Sequence, residues 1–394
     1  MSLNRKFGLF SAALLTLGLA TTTTAEILFQ ENFDGQPDWN SGLPENAYIK
    51  STPDVLQRAG THNIPDGWTS IRQDPVWAPS KGDMDKHETI EILASNADKS
   101  RSGTGKSMVS WRESYDNGGG RWSSEGILLK HFPEGYDQIY VEFWVRFDPN
   151  WSRLRSIDVA NSYSKLFRVY SWNGEETEYV AFKGGNNGPM LLWDHKIDTY
   201  GLRNSIAIRG GPHGDNYKFN VGDIQGLPRT LAGLGDLSMS FTGDLAYMGE
   251  GDTRSYIEDR VNGGVVPSGK WDQVQHDQIF GPGDSWTKLA FFVKMNSAPD
   301  VADGEVRQWL NGHQIFFNTQ VPWIRSSATE NENAKWNVVA FGGNDFFLYY
   351  PNEDRREEWY SIDDIVVRTD IPEDLMTGNT NTARPNPPDT FYVK

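Results

Sequence analysis

The chain has 394 residues, no cysteine, 39 glycines, 15 tryptophans and a formal net charge of −16. An acidic chain lacks the basic surface that nucleic-acid binding requires, and a chain without cysteine has neither disulfides nor thiol chemistry. This length allows one large β domain or two smaller ones.

The first 25 residues predict an export signal. Arg5 and Lys6 precede an apolar run at 7–20, and small residues follow up to Ala25. This order is typical of a secretory signal peptide that is cleaved after Ala25. The apolar run is too short to span a bilayer and no second run follows it, so we expect a secreted or periplasmic protein without a membrane partner.

Short segments that alternate apolar and polar residues recur along the chain and predict β-strands. They lie at 26–34, 87–93, 105–112, 140–147, 165–172, 205–209, 216–221 and 271–280. Segments rich in Gly, Pro, Asn and Asp separate them, and one modest helix is indicated at 254–261. The pattern predicts an all-β protein.

Two of these strands show how their side chains divide between two faces. In 140–147 one face consists of Val141, Phe143, Val145 and Phe147. In 165–172 one face carries Leu166, Arg168, Tyr170 and Trp172, and the other carries Lys165, Phe167 and Val169. Since strand side chains alternate between the sides of a sheet, the first face is expected to pack in a core.

The densest strand and turn signals lie between residues 286 and 367. Apolar runs at 286–296, 305–310, 313–317, 336–341 and 359–367 predict an antiparallel meander. Asn311-Gly312 predicts a tight hairpin turn because both residues tolerate positive φ, and 342–345 is interpreted as a second turn. Together the signals predict one β-sandwich domain over 26–370, followed by a C-terminal tail at 371–394 that wraps the surface or is loose.

The order of short motifs in this region resembles that of polysaccharide lyases of the family 14 type. The motifs are Lys294-x-Asn296, Asp303-Gly304, Trp309-Leu-Asn-Gly312, Arg325, Phe341-Gly-Gly-Asn-Asp345 and Asp363-Asp-Ile-Val-Val367. Upstream, 140–151 and Ser164-Lys-Leu-Phe167 are similar to the strand, acidic turn and lysine segment of that family. The resemblance implies a concanavalin A-like jelly-roll β-sandwich of two antiparallel sheets with long loops.

The same resemblance implies a catalytic set of Lys165, Arg209 and Tyr217. In β-elimination a base takes the proton beside the uronate carboxylate, a cation neutralises that carboxylate, and a tyrosine protonates the leaving oxygen. Three positions depart from the family pattern: the Gly-Gly before Lys165 is absent, Ala207 replaces a serine, and Phe219 replaces a second tyrosine.

Further candidates extend this set. His276 lies in a Gln-His-Asp segment that is comparable to the Gln-x-His strands of other jelly-roll lyases. Arg168, Tyr170 and Trp172 are candidate substrate-binding residues on a groove floor, where aromatic rings stack on sugars, and Lys294 is a fourth. Each has an ordinary alternative, namely an exposed edge charge, an ion pair with one of the many carboxylates, or core packing.

Three carboxylates form a candidate metal site. Glu31 and Asp34 belong to the first predicted strand and the acidic turn that ends it, and Asp364 belongs to the last; the first and last strands of a sandwich are often neighbours. Carboxylate oxygens are the ligands that Ca²⁺ prefers, so a structural calcium ion is one interpretation and an exposed acidic turn is the other. The predicted chemistry requires no cofactor.

The sequence therefore predicts a secreted, monomeric polysaccharide lyase that acts on an anionic, uronic-acid-containing polymer such as alginate or a glucuronan. The alternative is a non-catalytic, lectin-like carbohydrate-binding protein on the same fold. A laminarinase-like glycoside hydrolase would need paired carboxylates in a Glu-x-Asp-x-x-Glu strand, and the sequence has no such spacing.

Overall fold

The computed structural model describes thirteen segments of the chain. They are 26–41, 64–73, 87–114, 122–151, 161–172, 189–198, 201–209, 236–240, 257–266, 274–324, 333–349, 353 and 356–376. The predicted signal peptide, the predicted strand at 216–221 and the tail beyond residue 376 lie outside them. Within these segments, no helix has the length and apolar character needed to cross a bilayer.

The described strands form two sheets. The nine-stranded sheet contains β1 (Ile27–Glu31), β2 (Trp39–Asn40), β4 (Ile90–Ile92), β5 (Met108–Glu113), β7 (Gln138–Phe147), β12 (Thr287–Lys294), β13 (Gly304–Leu310), β14 (His313–Val321) and β16 (Glu357–Arg368). The seven-stranded sheet contains β3 (Ser70–Gln73), β6 (Trp122–Tyr136), β8 (Asn161–Tyr170), β9 (Met190–Asp198), β10 (Gly201–Arg209), β11 (Asp236–Ser240) and β15 (Trp336–Leu348). Three short helices accompany them: a 3₁₀ helix at Ala94–Lys99, α1 at His276–Phe280 and α2 at Glu373–Met376.

The strands of both sheets pair antiparallel. In the larger sheet the order is β14-β13-β12-β7-β16-β5-β4-β2, with β1 also beside β16. In the smaller sheet the order is β11-β10-β9-β8-β15-β6-β3. The chain crosses between the sheets from β5 to β6, from β6 to β7 and from β7 to β8. This arrangement is the predicted jelly-roll β-sandwich, and it also confirms that the first and last strands are neighbours.

Aromatic rings from both sheets fill the space between them. Phe143 of β7 lies 5.2 Å from Phe167 of β8 and 5.2 Å from Phe341 of β15, measured between ring centroids. Phe291 of β12 lies 4.8 Å from Phe167. The predicted core face of β7 is confirmed, since Val141, Phe143, Val145 and Phe147 are all buried in this cluster. Burying such a side chain stabilises the fold by about 1.5–3 kcal/mol.

The predicted meander is correct for β12, β13 and β14 and wrong for the strand that follows. Asn311 and Gly312 join β13 to β14 with φ values of 50° and 84°, as the Asn-Gly signal predicts. The next strand, β15, belongs to the other sheet. It also runs through 342–345, where a turn was predicted, because Gly342 at a φ of 90° lets the strand bulge rather than reverse.

Two other segments differ from their predicted structure. The end of the predicted strand 271–280 is helix α1, because Gln275 and Gln278 form a capping box and Gly281 ends the helix with a φ of 79°. In the predicted helix, the described residues from 257 onward form a turn closed by the bridge between Glu258 and Val265.

The first residues of the predicted tail pack against the sandwich. Ile371 and Leu375, which flank and belong to α2, cover an apolar cluster on the outer face of the nine-stranded sheet. The buried members of that cluster are Tyr140, Ala290, Phe292 and Trp309. The tail therefore begins as an ordered part of the domain.

Candidate active site

A β-bulge in β8 decides where Lys165 lies. Lys165 pairs with Asp194 of β9, whereas Phe167 pairs with the adjacent residue Trp193, so β8 has one extra residue there. Leu166 and Phe167 are both buried in the core between the sheets. The bulge therefore corrects the predicted faces: Lys165 lies on the same outer face as Arg168, and Leu166 does not.

Lys165 and Arg168 converge on Gly343 of the neighbouring strand β15. A Cβ atom at Gly343 would lie 2.6 Å from the Cβ of Lys165 and 2.6 Å from Nη2 of Arg168. Arg168 is 2% exposed and donates a hydrogen bond from Nη2 to the carbonyl oxygen of Gly342 at 3.3 Å, whereas Lys165 is partly exposed. The absence of a side chain at Gly343 thus leaves room for the Arg168 guanidinium and for the first carbon of the Lys165 side chain.

We expect Gly343→Ala to destabilise the fold by about 1–3 kcal/mol, because the new methyl group also meets the carbonyl oxygen of Lys165 at 2.6 Å. Gly35→Ala is the matched control, since a Cβ at Gly35 meets nothing within 4 Å. Urea unfolding of both variants checks the prediction. Equal stability of the two variants would show that the bulge accommodates a side chain at residue 343.

Tyr163 supplies a phenol on this face that sequence reasoning missed. Its ring lies 4.7 Å from Nζ of Lys196 on β9 and 5.4 Å from the ring of Phe346 on β15. It is partly exposed and precedes Lys165 by two residues. That spacing of two, which places strand residues on one face, was the available signal.

The outer face near Lys165 also carries charges from β9 and β10. Lys196 pairs in register with Arg203, and both are partly exposed. Asp194 pairs in register with Lys165, and Asp198 lies 3.3 Å from Nζ of Lys196. Cations thus lie close together on one surface of a chain whose net charge is −16.

The other end of the same face is apolar. Tyr170 is 1% exposed and belongs to a buried cluster that also contains Ile127, Leu129, Met190, Leu192, Ala207, Val338 and Ala340. Trp172 is partly buried against this cluster, and its backbone N–H donates to Oδ1 of Asn337 at 2.8 Å. In this structure Tyr170 is therefore a packing residue rather than an exposed ring available to a sugar.

The structure does not bring together the three residues that the resemblance implies as catalytic, as far as it describes them. The backbone of Arg209 on β10 pairs with Met190 on β9, whereas Lys165 on β8 pairs with Asp194 on β9. Met190 and Asp194 are four residues apart along β9. With standard strand spacings the Cα atoms of Arg209 and Lys165 are roughly 16 Å apart. Tyr217 lies outside the described residues, as does Arg325.

Two predicted site residues lie elsewhere in the sandwich. Lys294 is on the outer face of the nine-stranded sheet, where its Nζ is 3.5 Å from Oε1 of Glu305, so it does not share a surface with Lys165. His276 is buried in the core, with its Nδ1 2.9 Å from Nε2 of His195. Burial and the charge of Arg112 hold the pKa of His195 well below its usual value.

The three candidate metal ligands have protein donors close to their oxygens. Glu31 accepts hydrogen bonds from the backbone N–H of Phe33 and from Nε2 of Gln36, both at 2.6 Å. Asp34 accepts the backbone N–H of Lys106 at 2.8 Å, and Asp364 is ion-paired with Arg101. In the part of the chain that the structure describes, no group of three or more His, Cys, Asp or Glu side chains could hold a metal ion. The predicted calcium ligands do not form such a group.

Comparison with known proteins finds similarity in solved structures only. No protein-family model and no curated protein matches the sequence. A glucuronan lyase from the fungus Trichoderma reesei is 12% identical, with a TM-score of 0.39, 77% of this chain covered and 92% of that chain. An alginate lyase variant in complex with alginate tetrasaccharide is 13% identical (TM-score 0.40, 87% and 97% covered), and an alginate lyase from Aplysia kurodai is 11% identical (TM-score 0.34, 72% and 87%).

All three are polysaccharide lyases. The fold assignment of this chain rests on its own two antiparallel sheets and on the aromatic core between them.

Proposed function

We propose that this protein is an exported polysaccharide lyase that cleaves a uronic-acid-containing polymer by β-elimination. The observation that carries the proposal is the convergence of Lys165 and Arg168 at Gly343, on the same sheet face as the phenol of Tyr163. Ammonium, guanidinium and phenol are groups that suit this reaction, and strand β8 carries all three on the outer face of the seven-stranded sheet.

The chemistry assigns a role to each group. Elimination breaks the C–H bond beside the uronate carboxylate and the C–O bond to the next sugar, and it forms a carbon–carbon double bond. The partly exposed ammonium of Lys165 neutralises the carboxylate as negative charge builds up beside it. Arg168, which is buried and bonded to the Gly342 carbonyl, holds positive charge beneath that point.

Tyr163 is the proposed general base and general acid: in its deprotonated form it takes the proton from the C–H bond, and it then returns that proton to the leaving oxygen. Its ring lies 4.7 Å from Nζ of Lys196 and 5.4 Å from the ring of Phe346, and the residue is partly exposed. Tyr217 remains the other candidate for this role, as the sequence resemblance implies. The proposed reaction requires no metal or cofactor, and we propose that the protein is exported through residues 1–25 and acts as a monomer.

An anionic polymer must find a locally positive surface on an acidic protein. On the adjacent strands β8, β9 and β10, the described outer face carries Lys165, Arg168, Lys196 and Arg203 against two carboxylates, Asp194 and Asp198. Charge attraction of this kind is screened by salt. The similar solved structures are named as glucuronan and alginate lyases, and these polymers are therefore the first substrates to test.

The test is a cleavage assay on the full-length mature chain. Alginate, a glucuronan and a neutral β-glucan are incubated with the protein, and the ultraviolet absorbance of unsaturated uronate is followed. We expect a rise with at least one uronate polymer and none with the neutral glucan. No rise with any uronate polymer would contradict the proposal.

The second candidate is a non-catalytic carbohydrate-binding protein. It is favoured by Ala207, which is buried where the lyase pattern has a serine. Tyr163→Phe separates the two functions, because it removes a proton donor and keeps the ring. If the protein is a lyase, this change lowers the cleavage rate by about 10²–10⁴-fold. If it is a binding protein, the variant keeps its affinity for the polymer, and neither the variant nor the unsubstituted protein forms product.

A further inference from the structure

A buried ion network lies on the core side of the sheet, behind the candidate site. Arg112 of β5 is 0% exposed and donates from Nε to Oε1 of Glu358 at 2.8 Å. Its Nη1 donates to Oδ1 of Asp345 at 2.7 Å and to the hydroxyl of Ser164. The Ser164 hydroxyl in turn donates to Oδ1 of Asp345. The network joins β5 and β16 of one sheet to β8 and β15 of the other.

Two members of the network adjoin the residues that form the site. Ser164 immediately precedes Lys165, and Asp345 follows Gly343 by two residues. Ser164 and Asp345 are also register partners, at the end of the irregular segment in which the pairing of β8 with β15 jumps from Phe341 to Asp345. Ser164 and Asp345 therefore stabilise the irregular segment from the core side of the sheet. The same segment places Lys165 on the outer face.

Among the described residues, the titratable groups that interact with Asp345 come from three strands. They are Arg112 on β5, Glu358 and Tyr360 on β16, and Lys165 on β8. Burial raises the pKa of Asp345 to about 7, while Arg112, the Ser164 hydrogen bond and Lys165 favour its ionised form and Glu358 opposes it. Lys165 follows Ser164 directly, and any effect of its charge on the ionisation of Asp345 has an equal effect in return.

We propose that Asp345 is a positioning residue for Lys165. Its ionised carboxylate, which pairs with Arg112, holds the Ser164 hydroxyl and thereby the backbone of the bulge. The position of Lys165, the next residue, depends on that backbone. When Asp345 takes up a proton, it loses its charge and one of its acceptor positions, and the constraint on the bulge is relaxed. The consequence for cleavage rests on the proposed function, whereas the coupling between Asp345 and Lys165 does not.

The coupling is measured by NMR on the mature protein with ¹³C-labelled lysine. The ε-methylene signal of Lys165 is assigned by its loss in Lys165→Arg. We expect this signal to shift as the pH passes through about 7 in the unsubstituted chain, where Asp345 titrates, and to lose that step in Asp345→Asn. Glu305→Gln, which alters a carboxylate on the outer face of the other sheet, leaves the step in place. Absence of the step in the unsubstituted chain, or its persistence in Asp345→Asn, would overturn the proposal.

A second variant keeps the test valid if Asp345→Asn does not fold. Lys165→Met changes a partly exposed side chain and leaves the buried network intact. With ¹³C-labelled aspartate, the carboxyl titration of Asp345 is expected to move to higher pH in Lys165→Met, because a positive charge that favours ionisation is lost. Lys294→Met is the matched control and leaves that titration unchanged. An Asp345 titration that is the same in all three chains would also overturn the proposal.

Kinetics separate positioning from a merely structural role. If the protein cleaves a uronate polymer, Asp345→Asn is expected to lower kcat roughly tenfold or more with little change in KM, and to remove the inflection of kcat near neutral pH. Loss of activity in proportion to the unfolded fraction, with the inflection kept, would contradict positioning. If the unsubstituted chain cleaves nothing, the proposed function fails and the NMR titrations alone decide the coupling.

Discussion

Arg112→Met is expected to destabilise the fold by about 3–5 kcal/mol, among the largest effects of any single substitution in this chain. The guanidinium of Arg112 is fully buried, lies 3.4 Å from the centre of the Trp151 ring and pairs with both Asp345 and Glu358. Methionine fills similar space but removes the cation that joins the two buried carboxylates, and Glu358 then keeps its ion pair with Arg356, at 3.9 Å. The loss of stability comes mainly from burying carboxylates without their Arg112 partner, rather than from the lost Arg112–carboxylate attraction alone.

Urea unfolding measures this loss, and Arg307→Met is the matched control. Arg307 is partly exposed and pairs with Oε2 of Glu305 at 2.8 Å on the outer face of the nine-stranded sheet, so its removal should cost no more than about 1 kcal/mol. The penalty of Arg112→Met should shrink at acidic pH, because protonation neutralises the stranded Asp345. Equal losses for the two variants, or a penalty independent of pH, would contradict this account.

Much of the sandwich follows from local patterns in the sequence. Alternation alone identifies the core face of β7, and Asn311-Gly312 identifies the turn between β13 and β14. β6 and β9 were missed because their central residues are apolar on both faces, as in Ile127-Leu128-Leu129, which removes the alternation on which strand prediction depends. The sheet to which β15 belongs depends on the whole fold, and no local pattern specifies it.

The candidate site was harder to predict because one inserted residue in β8 changes which side chains lie on the same face of the sheet. Strict alternation puts Lys165 opposite Arg168, whereas the bulge at 165–167 puts them together. Helix α1 could have been recognised from Gln275, Gln278 and Gly281, which are cap signals. The separation of Lys294 and His276 from Lys165 could not have been predicted from local patterns. It depends on the sheet to which each strand belongs and on which face of that sheet packs in the core.

Lys165→Met is expected to reduce the rate of uronate-polymer cleavage by about 10²–10³-fold while leaving the fold stable. Removing one charge-stabilising group from an active site costs this much when the group acts mainly on the transition state. Methionine keeps the length of the side chain and its apolar contacts, and loses only the ammonium. Lys165 is partly exposed, whereas Arg112 is fully buried, so the removal of the Lys165 charge is expected to cost less stability.

Lys294→Met is the control that makes this result specific to the seven-stranded sheet. It removes an identical charge from the outer face of the opposite sheet, where Lys294 lies 3.5 Å from Glu305. The two variants therefore have the same net charge, and any difference in cleavage at matched salt reflects location rather than a weaker overall attraction for the polymer. Activity that survives in Lys165→Met, or that falls equally in both variants, would place the reacting groups on another surface.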